Sequence, residues 1–63
     1  SKRPVTSAIS RWIAGEITAR DEEARLTIRA ADGTEHFVEG LIATTLMVGD
    51  RVHPGDLLGI APH

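Results

Sequence analysis

The chain has 63 residues and a mass of 6.8 kDa, which limits it to one small domain. Seven basic against nine acidic side chains give a net charge of −2, and 41 % apolar content argues against disorder as a description of the whole chain. Zero cysteines exclude disulfides and any thiolate metal site, and no apolar run approaches the ~18 residues of a membrane span.

The N-terminal Ser1-Lys2-Arg3-Pro4 is polar and basic, and residues 1–5 read as a flexible tail. It lacks the apolar stretch of a secretory signal, and a Ser1 start fits removal of an initiator Met, so the expectation is a cytoplasmic protein. Residues 6–14 carry two patterns. As a helix, Thr6 would be the N-cap, Ile9, Trp12 and Ile13 would share a face, and Gly15 would stop it. As a strand, Ile13, Gly15, Ile17 and Ala19 alternate with Trp12, Ala14, Glu16 and Thr18. The favoured expectation is a short helix or turn to about Ile13 and then a strand from about Gly15 to Ala19.

Arg20-Asp21-Glu22-Glu23 is a charged turn. Beyond it Ala24, Leu26, Ile28 and Ala30 alternate with Arg25, Thr27 and Arg29, which predicts a half-buried strand with a basic outer face. Asp32-Gly33 and the short run from Glu35 to Glu39 complete a hairpin, because Gly accepts the positive φ of the tight turn. Leu41 to Val48, interrupted by Thr44 and Thr45, predicts a further strand. The most distinctive segment follows, with Gly49-Asp50-Arg51-Val52 and Gly55-Asp56-Leu57-Leu58 repeating Gly-Asp at a spacing of six residues. Each Gly-Asp reads as a turn whose Asp accepts backbone hydrogen bonds, Pro54 presets φ for the second, and Val52 between them would plug the core.

From Ala24 to Ala61 this order of strand, Asp-Gly turn, apolar segment and double Gly-Asp resembles barrel-sandwich hybrid domains. That group includes lipoyl and biotinyl carrier domains, membrane-fusion adaptors, the IIA component of glucose-type phosphotransferase systems and lysostaphin-like zinc endopeptidases. The resemblance implies an all-β fold, a small barrel or barrel-sandwich hybrid, but little about activity. Carrier domains bear their cofactor on a hairpin lysine, whereas the only lysine here is Lys2. The zinc endopeptidases use a histidine and an aspartate upstream and a His-x-His downstream; here no histidine precedes His36, and Pro62-His63 ends the sequence. The phosphorylated histidine of the IIA component lies in sequence without a counterpart here.

The remaining candidates for chemistry are few. His36, His53 and His63 have neither His-x-His nor His-x3-His spacing, so no metal site and no cofactor are expected. Asp21, Glu22 and Glu23 read as a solvated cluster, and no Ser-His-Asp set or phosphate-cradling glycine loop is recognisable. Trp12, Phe37 and Met47 are expected in the core; a Trp12 exposed beside Arg11 would instead be an interface anchor. The expected function is therefore a non-catalytic protein-interaction module, an accessory subunit or small adaptor that self-associates into a homo-oligomer. Its candidate partner-binding residues are Arg11, Trp12, Arg25, Arg29 and His53. An alternative is an SH3- or Sm-like barrel that binds nucleic acid through Arg25 and Arg29 on one strand face, although two aromatic residues offer little base stacking. A third is a fragment or non-catalytic relative of a zinc hydrolase.

Overall fold

The structure, a computed structural model, describes residues 4–62 and contains no helix among them. Six strands follow in chain order: β1 (Val5–Ile9), β2 (Gly15–Arg20), β3 (Leu26–Arg29), β4 (Glu35–Val38), β5 (Arg51–Val52) and β6 (Leu57–Pro62). They form a four-stranded antiparallel sheet in the order β4-β3-β2-β5 and a two-stranded sheet of β1 and β6. The fold is all-β, as expected, but the ladders do not close into a continuous barrel.

The centre of the chain folds as its alternation dictates. Leu26 and Ile28 of β3 point inward, opposite Val38 and His36 of β4, while Thr27 and Arg29 face out opposite Phe37 and Glu35. The hairpin turns at Asp32-Gly33, where Gly33 adopts φ +90° and Asp32 Oδ1 accepts the Thr34 amide at 2.9 Å. In β2 a bulge at Thr18 shifts the register between Ile17 and Ala19. Both Ile17 and Arg20 therefore face the interior side, and Arg20 reaches across to the Thr44 carbonyl at 3.1 Å. Ile17, Ala24, Leu26, Ile28, Leu41, Val52 and Leu58 form the buried core, flanked by Ala8, Ile13, Val38, Leu46 and Ala61. Leu58, Ala8 and Ala61 come from the small sheet, so the core lies between the two sheets.

Several expectations are corrected. The favoured N-terminal helix is absent; residues 5–9 are a strand, because a helix of two turns has no stability of its own whereas β1 finds a full-length partner in β6. Val5, counted with the expected tail, instead pairs with Pro62; the rest of that expectation, at residues 1–3, and residue 63 lie outside the described residues. The run from Leu41 to Val48 is not a strand. It makes one bridge, Ala43 to Ile60, after which the Thr44 hydroxyl donates to the Leu58 carbonyl and accepts the Leu46 amide, taking over groups that a ladder would use. Trp12, Phe37 and Met47 are not core residues but stand 84 %, 71 % and 57 % exposed. Val52 does plug the core, at 1 % exposure.

Candidate functional site

The two Gly-Asp turns flank β5, one before it and one after it, and they are built alike. In residues 47–50 the Asp50 amide donates to the Met47 carbonyl at 3.0 Å, while Asp50 Oδ2 accepts the Met47 amide at 2.9 Å. In residues 53–56 the Asp56 amide donates to the His53 carbonyl at 2.9 Å, and Asp56 Oδ2 accepts the His53 amide at 2.7 Å. Gly49 and Gly55 hold φ of +99° and +94°, the third-position conformation of a type II turn, which glycine adopts without a Cβ penalty.

Each turn then grips an N-terminal strand or its end by a reciprocal pair of backbone bonds. Ile17 donates to Asp50 and accepts from Gly49, both at 2.9 Å. Ser10 donates to Asp56 at 2.8 Å and accepts from Gly55 at 2.6 Å. Beyond the turns, β5 runs beside β2 and β6 beside β1. The six-residue repeat is thus an internal structural repeat, one turn serving each sheet.

The grip on Ser10 positions the loop that carries Trp12. Ser10 is buried, and its hydroxyl donates to the Ile13 carbonyl at 2.6 Å, closing residues 10–13 on themselves. Trp12 is left pointing into solvent from a loop anchored on both sides. Around this end Ile9 and Leu57, directly opposite each other across the β1–β6 ladder, are each about half exposed. His53, whose Nδ1 lies 3.5 Å from Asp56 Oδ2, sits on the turn that holds Ser10. The fold therefore gathers Arg11, Trp12 and His53 on neighbouring loops at one end.

Arg25 precedes β3 and Arg29 ends it, and each is met by carboxylates. Arg25 Nε donates to Asp21 Oδ2 at 2.5 Å, and its Nη2 lies 3.9 Å from Glu23. Asp21 Oδ1 also accepts the Glu23 and Arg25 amides, and these bonds, the Arg25 amide first, hold its carboxyl below the ordinary carboxylate range despite some desolvation. Arg29 stands directly between Glu16 of β2 and Glu35 of β4, and Arg51 of β5 lies on the far side of Glu16. The row Arg51–Glu16–Arg29–Glu35 alternates in sign across all four strands, a cross-strand pattern that favours this register. An open cleft of about 530 Å³ lies over the Arg51, Glu16 and Arg29 part of this row and is also lined by His53. Among the described residues no three His, Asp or Glu side chains converge as metal ligands would.

Two features of this surface were missed by sequence reasoning, and one carried a signal. Phe37 shares its side of β4 with Glu35, so period-two alternation already places it in solvent. Ser10 gave none, because its burial follows from the distant turn at 53–56. Comparison of the chain with models of known families, with curated proteins and with solved structures finds no match.

Proposed function

We propose that this domain is a non-catalytic protein-interaction module, an accessory subunit or small adaptor of the cytoplasm, that docks a protein partner through the end bearing Trp12. The observation that carries the reading is Trp12 itself, 84 % exposed on a loop pinned by Ser10, with Ile9 and Leu57 exposed beside it. Fixing an aromatic side chain outward before binding lowers the ordering cost that docking would otherwise incur. Tryptophan and arginine are the residue types that most often anchor interfaces, and Arg11 adjoins Trp12. Ile42, Met47 and Val48 are further exposed apolar residues, on the segment before β5.

The nucleic-acid alternative needs a strip of uncompensated positive charge, and Arg25 and Arg29 are each flanked by carboxylates. The test is recovery of the chain and of Trp12→Ala from native extract at low salt, with and without nuclease. A stoichiometric protein that survives nuclease with the parent chain and is lost with Trp12→Ala is the expected result. Nuclease-sensitive, salt-labile nucleic acid would overturn the reading.

A further inference from the structure

The sheet edges of this molecule differ in how they are protected. β4 offers an outer edge that carries Glu35 and runs into Glu39, and β5 is only two residues long; charge and brevity both discourage strand addition. The outer edge of β6 is occupied, since Ile60 donates to Ala43 at 3.0 Å and accepts from Ile42 at 2.7 Å. β1 has none of these devices. Val5-Thr6-Ser7-Ala8-Ile9 contains no charge and no proline, and among the described residues nothing pairs with its outer side.

The orientation of that edge follows from the bonds around it. Ser7 lies opposite Ile60, whose amide and carbonyl both point away from β1, toward 42–43. Ser7 and Ile60 are therefore a non-hydrogen-bonded pair, and the Ser7 amide and carbonyl point outward. By alternation those of Val5 and Ile9 do the same, consistent with Ser10 bonding inward to the 55–56 turn. The irregularity between Ala8 and Ile9 skips Leu58, so the extra residue belongs to β6 and the outer edge of β1 stays regular.

We infer that the β1 edge is a homodimer interface, in which two copies pair β1 with β1 antiparallel about a two-fold axis at Ser7. The segment is self-complementary in that register. Val5 falls opposite Ile9 of the second copy, Thr6 opposite the small Ala8, and Ser7 opposite itself, which puts the two large apolar residues against each other and leaves no charge or bulk mismatched at the centre. All the outward amides and carbonyls of Val5, Ser7 and Ile9 find partners, and both small sheets merge into one four-stranded sheet. The isologous geometry closes at two copies. A five-residue edge is about 17 Å long and buries less than the about 800 Å² per partner of a standard interface, so the dimer dissociates on dilution through the micromolar range.

This inference gives the self-association expected from the sequence a surface of its own, the β1 edge, which shares only Ile9 with the Trp12 end. The test is sedimentation equilibrium of the full chain, of Ser7→Pro and of Ser7→Lys, with circular dichroism to check the fold. Proline at 7 deletes only an outward amide and leaves the β1–β6 ladder intact, while lysine at 7 sets like charges face to face across the axis. The parent chain is expected to approach twice 6.8 kDa with rising concentration. Both variants are expected to stay folded and to dimerise at least about tenfold more weakly. A parent chain that stays monomeric, or a folded Ser7→Pro that dimerises as tightly as the parent, would overturn the inference. Retention of a protein partner that depends on Trp12 in either case would show that the docking reading survives without the edge dimer.

Discussion

At the scale of single residues, both Gly-Asp turns depend on a side-chain oxygen that returns to the turn's own first amide. Asp56 does this for His53 and Asp50 for Met47. Asp56→Ala leaves the His53 amide without its acceptor and loosens the turn that grips Ser10; a loss of about 1 kcal/mol in urea denaturation is expected. Asp56→Asn keeps an acceptor oxygen and is expected to recover most of it, whereas equal losses for the two variants would contradict the bond's role. Asp21 and Asp32 act similarly in their own turns, with Arg25 and Thr34 amides respectively as the leading cause of their lowered pKa. Because both folded values lie below the unfolded ones, their contribution is complete above the ordinary carboxylate range and is lost as pH falls through the folded values. Thermal melting is therefore expected to fall as pH drops below about 4, with a smaller fall in Asp21→Asn. An Asp21→Asn profile superimposable on the parent's would contradict this assignment.

Among the elements, the contact between β6 and the segment before β5 is the tightest place in the small sheet. A Cβ on Gly59 would fall onto the Ala43 carbonyl oxygen, the same oxygen that accepts the Ile60 amide. Gly59→Ala must displace that backbone, and a destabilisation of about 1–3 kcal/mol is expected; an unchanged denaturation midpoint would show that the 42–43 segment moves aside freely. The elements legible in the sequence were those set by local rules: β2, the β3–β4 hairpin around Asp32-Gly33, and the two Gly-Asp turns with Val52 between them. β1 was not legible, because Ile9, Trp12 and Ile13 mimic a helical face and its actual partner lies some fifty residues away in β6. The segment 41–48 failed for the opposite reason. Its strand-like composition was real, but Thr44 spent its hydroxyl on the local backbone and on Leu58.

On the scale of the whole molecule, seven buried apolar residues hold two sheets together. A core of this size supplies about 3–5 kcal/mol net. Val52→Ala removes two methyl groups from a site that is 1 % exposed, at a cost of about 2–3 kcal/mol, which is a large part of that stability. A melting temperature within a few degrees of the parent's would contradict the placement of Val52 at the centre. Economy in the core also explains why the functional surface was only partly legible. With so little interior, Trp12, Phe37 and Met47 all stand in solvent, Phe37 because it shares the outer side of β4 with Glu35 and Trp12 because its loop is held by the grip on Ser10. Arg11, Trp12 and His53 were brought onto neighbouring loops by the bonds between Ser10 and the 53–56 turn, whereas Arg25 and Arg29 were absorbed into ion pairing and a charge row that the sequence showed only as a basic face.

Trp12 is the sole tryptophan, so its accessibility tests the central claim without a label. Acrylamide quenching of its fluorescence should approach that of free indole in the isolated chain. In complex with the protein partner recovered from native extract, quenching should drop several-fold as the side chain is covered. A tryptophan already shielded in the isolated chain, or one quenched equally well in the complex, would contradict the account of this end of the molecule as its docking surface.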